Sequence, residues 1–125
     1  MTNIENFIHF FTSNTNSFSR EDLQYLFNAK QIVEKKYQSS SFNPEQRIDY
    51  LIDFISNYES EDFSKYTHFL LLIGYSSNYP LIISELETFF DFLEKILPAS
   101  AKIKLGNWKN EDLDKEVSLM LLGSY

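Results

Sequence analysis

Residues 102–125 read KIKLGNWKNEDLDKEVSLMLLGSY, and the reading of this stretch decides the fold. Two apolar segments, residues 101–105 and 117–122, flank a dense acidic connector with Gly106 at its entrance. Short apolar segments bounded by polar turn residues read as β-strands, and the connector predicts that the two pair antiparallel as a hairpin. Upstream, Ile83, Leu86, Phe90, Leu93 and Leu97 recur at three- and four-residue intervals, which predicts a helix closed by Pro98. Before that helix, Phe69-Leu70-Leu71-Leu72-Ile73 has the length of a strand covered on both faces. It is expected at the centre of the sheet, ended by Gly74 and the polar run Ser76-Ser77-Asn78.

Further toward the N-terminus, Asn43-Pro44-Glu45-Gln46 is a helix start: asparagine can cap, proline is preorganised at the first helical position, and glutamine can reach back. Ile48, Leu51, Ile52 and Ile55 supply the buried stripe of that helix. Residues 31–37 alternate weakly and predict a strand. Ser19-Arg20-Glu21-Asp22 marks the start of a short helix carrying Leu23, Leu26 and Phe27, with Ser19 as cap and acids in the first turn. Six polar residues, Thr12 to Ser17, separate it from an N-terminal helix whose apolar side is Ile4, Phe7, Ile8 and Phe11. The expected fold is α/β: a single two-layer domain over residues 1–125, with one four-stranded sheet and two main helices in residues 18–125. An N-terminal helix and loop, residues 1–17, precede it.

Composition narrows the function. A chain of 125 residues, 43% apolar and 17% aromatic, is sufficient for one core. Its 11 basic and 18 acidic residues give a net charge of −7. That balance argues against nucleic acid and against an anionic membrane surface, and it favours a basic or mixed-charge protein partner. The chain has no cysteine, hence no disulfide framework or thiolate nucleophile, and no basic segment with a cleavage site marks a secretory signal. The cytoplasm is the expected compartment. The longest apolar run, Phe69 to Ile73, is far below the roughly 20 residues that a membrane-spanning helix needs.

The local patterns come in a telling order. Ser17-Phe18-Ser19-Arg20-Glu21-Asp22 precedes Leu23-Gln24-Tyr25-Leu26-Phe27; Asn43-Pro44-Glu45-Gln46-Arg47-Ile48 opens a helix; residues 65–74 form a buried strand; Ile83-Ser84-Glu85-Leu86 opens another helix. Gly106, Asp112, Leu113, Glu116, Val117 and Gly123 then punctuate the closing stretch. This succession resembles the C-terminal domain of FtsZ and the tubulin superfamily, and the resemblance covers nearly the whole chain but only the rear part of the family protein. In the family, the loop before the short helix reads Asn-x-Asp-Phe-Ala-Asp and meets the nucleotide of the next subunit in a filament, where its carboxylates position or polarise water. Of those acids only Asp22 is retained here, and a serine, Ser19, stands where the family has an aspartate. The family holds its nucleotide on glycine-rich loops of a separate domain. With only Gly74, Gly106 and Gly123, no two adjacent, this chain is not expected to build such a site, so neither a cofactor nor catalysis is expected.

The candidate partner-binding residues are therefore Ser19, Arg20 and Asp22, on the loop the resemblance assigns to longitudinal docking. Trp108 joins them, because it is expected in the polar hairpin loop, where burial is hard to arrange, and an exposed tryptophan is a common interaction anchor. Asp22, three residues after a capping serine, also has a plain helix-stabilising role open to it. His9 and His68 lack the clustered neighbours a metal requires. Two acidic clusters, Glu59-Glu61-Asp62 and Glu111-Asp112-Asp114-Glu116, are expected in solvated turns, and Phe89, Phe90 and Phe92 cover more than one face of their helix. Two functions follow. One is a non-catalytic accessory or capping factor that binds an FtsZ-like GTPase, with self-association also open; the other is an acidic immunity-type protein that neutralises a basic enzyme through a continuous anionic face.

Overall fold

In the computed structural model, which describes residues 2–13, 18–39 and 43–125, His68–Tyr75 (β2) is the strand on which both layers rest. The side chains of residues 2, 3, 4 and 7 lie outside that description, as do residues 14–17, so Ile4, Phe7 and Ser17 carry no structural statement. Along β2 the pleat sends Phe69, Leu71 and Ile73 into one core and Leu70 and Leu72 into another. A strand apolar on both faces requires a covering on both. Arg47–Tyr58 (α2) and Ile83–Ile96 (α3) cover the first face, through Ile48, Leu51, Ile55, Phe89, Phe92 and Leu93. Thr2–Ser13 (α1) and the 3-10 helix Glu21–Asn28 cover the second, through Ile8, Phe11, Phe18, Leu23 and Leu26.

The remaining strands are Ile32–Gln38 (β1), Lys102–Lys109 (β3) and Ser118–Ser124 (β4). They form a four-stranded mixed sheet in the order β1-β4-β2-β3, which bears out the expected α/β class. The expected hairpin does not exist. β3 pairs with β2 in parallel, Leu71 opposite Leu105, while β4 pairs antiparallel with β2 on its other side and with β1 beyond. The reason lies in the side chains. Leu119 and Leu121 of β4 enter one core and Leu122 the other, so β4 needs a central position. β3 carries Lys102, Lys104 and Lys109 and belongs at an edge. Gly74 does not end β2 either. It lies within the strand, where a Cβ would stand 2.4 Å from Ser118 Oγ and 3.3 Å from the Trp108 ring.

The two helix starts on the first face are locked together. Asn43 caps the 3-10 turn Pro44–Gln46, its side chain accepting from the Glu45 amide at 3.0 Å, and Arg47 follows as the first residue of α2. Arg47 is 2% exposed. Its guanidinium donates to Glu85 through Nε at 2.7 Å and Nη2 at 2.9 Å, and to the carbonyls of Tyr79 (2.9 Å), Pro80 (3.0 Å) and Lys115 (3.4 Å). Glu85 in turn accepts from the Ile82 amide at 3.2 Å, one of the donors that the first turn of α3 leaves unpaired. One buried ion pair thus joins α2, α3, the segment between β2 and α3, and the connector before β4. Among the described residues no helix is long and apolar enough to cross a membrane.

Candidate interface at the N-terminal helix and loop

Two of the expected residues meet as the spacing implies. The Asp22 amide donates to Ser19 Oγ at 3.2 Å and the Ser19 amide donates back to Asp22 Oδ2 at 3.1 Å. This reciprocal pair satisfies two donors at the start of the 3-10 helix Glu21–Asn28. The backbone hydrogen bond from Ser19 is the largest of the effects that hold the Asp22 carboxyl below its ordinary range, followed by the Ser19 hydroxyl and Lys104. Ser19→Ala removes one half of the pair and is expected to lower stability by about 0.5–2 kcal/mol. A melting curve that superimposes on that of the unaltered protein would refute the capping role.

The loop is tied to two other elements. Arg20 Nη2 reaches Glu5 of α1 at 3.1 and 3.2 Å, and Lys104 Nζ of β3 stands 3.2 Å from Asp22 Oδ1. All four side chains remain substantially exposed, so the pairs fix the loop's orientation more than they stabilise the fold. Residues 14–17 of the expected docking loop lie outside the described residues, as noted for Ser17.

Trp108 is not in a loop. It is in β3, on the same face as Lys104, and its ring meets Phe10 of α1 edge to face at 5.1 Å. The alternation of β3 continues past Gly106 and delivers the indole to the second core, whose partly buried rim it shares with Phe10 and Met120. Beside it opens a cleft of about 420 Å³, with Lys36, Gln38, Asn110 and Ser118 among its polar lining.

The other sequence candidates are engaged locally. His68 stacks on Tyr25 with ring centroids 4.7 Å apart, and His9 Nδ1 lies 3.4 Å from Ser13 Oγ. Among the described residues no group of three His, Asp or Glu side chains is placed to hold a metal ion. Asp62 and Glu111 lie at opposite ends of β2, while Glu59 and Glu116 accept from the consecutive β1 residues Tyr37 and Gln38. Asp62 caps the turn that leads into the strand, accepting from the Ser64 amide at 3.0 Å. Glu111 accepts from the Ser77 amide at 2.7 Å beyond the strand's far end. Glu59 accepts from the Tyr37 hydroxyl and pairs with Lys35 at 3.2 Å. Burial pushes the Glu59 carboxyl upward, but Tyr37, the Glu61 amide and Lys35 outweigh it and leave it below the ordinary value. Burial, with Glu59 alongside, raises the Tyr37 phenol.

Phe89 and Phe92 are buried and Phe90, partly buried, packs against the same core. Aromatic rings are exposed elsewhere: Tyr50 (38%), Phe54 (41%) and Tyr58 (74%) on α2, and Phe27 (46%), which the short helix was expected to carry among its apolar positions. Those on α2 recur at four-residue intervals beside the Ile48-Leu51-Ile55 stripe, a spacing visible in the sequence.

No protein-family model matches the chain, and no curated protein does. Solved structures do. An FtsZ dimer from M. jannaschii superimposes with a TM-score of 0.61 at 19% identity, over 78% of this chain and 28% of that one. GDP-bound CetZ1 from Haloferax volcanii gives 0.60 at 14% identity, over 85% and 32%. A protofilament of Bacillus thuringiensis TubZ gives 0.52 at 13% identity, over 74% and 24%. The chain thus spans about a quarter to a third of the length of these proteins. At such identities the likeness speaks for architecture alone, and on that evidence this chain has the fold of the C-terminal domain of FtsZ and the tubulin superfamily.

Proposed function

We infer that this protein is a non-catalytic interaction module that docks on a subunit of an FtsZ-like polymer through the face formed by α1, the loop at Ser19–Asp22 and the 3-10 helix after it, and so limits assembly. The observation that supports this reading is the face itself, α1 and the 3-10 helix Glu21–Asn28 laid on one side of the sheet, in a chain whose matched structures include a dimer and a protofilament. The Ser19–Asp22 pair, Arg20 with Glu5 and Asp22 with Lys104 give the loop a defined shape. The competing reading, an acidic neutraliser of a basic enzyme, would draw on the two acidic clusters instead of the α1 face.

Light scattering of an assembling FtsZ-like polymer tests the proposal. Substoichiometric protein should slow elongation, and Arg20→Glu combined with Asp22→Lys should abolish the effect while the circular dichroism spectrum is retained. Unchanged assembly at equimolar protein, or inhibition indifferent to the loop changes, would rule the mechanism out.

A further inference from the structure

We propose that β1 is the interface of a two-fold symmetric homodimer, in which the β1 strands of two copies pair antiparallel with Lys35 at the axis and continue the two sheets into one. The ladder with β4 determines which groups of β1 point outward. Gln31 and Tyr125 exchange both backbone hydrogen bonds, at 3.2 and 3.1 Å, and the Ser39 amide donates to the Val117 carbonyl at 2.9 Å. In an antiparallel ladder hydrogen-bonded pairs alternate, so the odd-numbered residues face β4 and Ile32, Glu34, Lys36 and Gln38 turn their amides and carbonyls to the open edge.

A symmetric pairing must then set even-numbered residues opposite even-numbered ones. Centred on Glu34 it would oppose two carboxylates; centred on Lys36, two ammonium groups. Centred on Lys35 it places Glu34 opposite the second copy's lysine 36 and Lys36 opposite its glutamate 34. Glu34 and Lys36 are already neighbours within one strand, with Nζ 3.8 Å from Oε1, so the four groups would form a square of alternating charge. The two Lys35 side chains at the axis lie on the other face, and each is drawn back to its own Glu59 (3.2 Å) and Glu61 (3.7 Å). The opposite edge of the sheet contrasts with this: the charged residues of β3 are all lysines, the same-sign protection expected of an edge that stays unpaired.

The aromatic stripe of α2 flanks the same edge. Phe54 lies 5.2 Å from Tyr58 and 6.4 Å from Tyr37 of β1, ring centroid to ring centroid. Strand pairing sets the second β1 about 4.8 Å beyond the first. It brings the two α2 helices alongside one another on one face of the joined sheet, with Tyr50, Phe54 and Tyr58 of each turned toward the other. The surface proposed for filament docking, formed by α1 and the loop, is on the other face and stays open.

Sedimentation equilibrium on the full chain tests the assignment, the expected mass being twice 14.8 kDa. Glu34→Lys or Lys36→Glu alone turns both symmetric contacts repulsive and should raise the dimer dissociation constant about tenfold or more. The double exchange, Glu34→Lys with Lys36→Glu, restores the alternation and should restore the dimer, which distinguishes a paired edge from a variant that has merely lost its fold. A monomer at all concentrations, a dimer indifferent to the single reversals, or failure of the double exchange to recover it would overturn the proposal.

Discussion

Arg47→Ala is expected to lower the stability of the domain by about 3–5 kcal/mol, a large share of what a domain of this size has. The cost arises less from the lost attraction than from what is left behind. Glu85 would keep a carboxylate that is 11% exposed, with the Ile82 amide its remaining partner, and the carbonyls of Tyr79 and Pro80 would lose their donors. Arg47→Lys should not rescue it, because a single ammonium cannot match two carboxylate oxygens and two carbonyls at once. Replacing both partners, Arg47→Met with Glu85→Leu, should recover much of the loss, since apolar groups of similar volume leave no stranded charge. Urea unfolding of the four proteins decides the matter: a drop of less than about 1 kcal/mol for Arg47→Ala would show that the clamp does not hold the two helices.

Phe69→Ala should cost a similar amount, about 3–5 kcal/mol. Phe69 is 1% exposed and its ring sits edge to face with Phe63 at 6.0 Å and Tyr66 at 6.2 Å. Across the ladder it meets Gly123, where a Cβ would come within 3.1 Å of the Phe69 ring and 3.2 Å of Val33 Cγ1. Gly123→Ala in the unaltered protein is therefore an overpacking change worth about 1–3 kcal/mol, since the packed neighbours leave the ring little room to shift. With Phe69→Ala already present the same change should cost less, because one of its two obstacles has gone. A thermodynamic cycle over the four proteins should show coupling of about 0.5 kcal/mol or more. Strict additivity would mean that the glycine is not there to accommodate the ring.

What could be read in the sequence was whatever a single element encodes. The both-face run at Phe69 to Ile73, the stripe of α2 and the Ser19–Asp22 spacing are local patterns, and each formed where expected. The α3 helix formed as well, but its stripe is rotated from the expected one: Phe89, Phe92 and Leu93 are buried, whereas Ile83 at its start is 74% exposed. Strand order was a different matter. The acidic connector invited a hairpin, yet the better guide lay in plain view: β4 is apolar on both faces and β3 alternates with lysine, so only β4 can tolerate the middle. Trp108 was misread for a related reason, since Asn107, Lys109 and Asn110 made its surroundings look like a loop while the pleat through Gly106 continued. Arg20 with Glu5, Lys104 with Asp22 and Arg47 with Glu85 join residues far apart in the chain, and no local pattern announces such pairs.

The place of β4 between β1 and β2 also governs how the protein comes to be made. A ribosome delivers β1 and β2 long before residues 118–124, and during that interval neither strand has the neighbour that will separate and join them. The fully apolar run of β2 must wait with one side unpaired until the last strand slides into the gap. Closure over that distance slows folding and leaves a nascent edge open to chaperones or to other chains. The sheet is therefore completed from its middle, and its completion waits for translation to reach the strand that fills it.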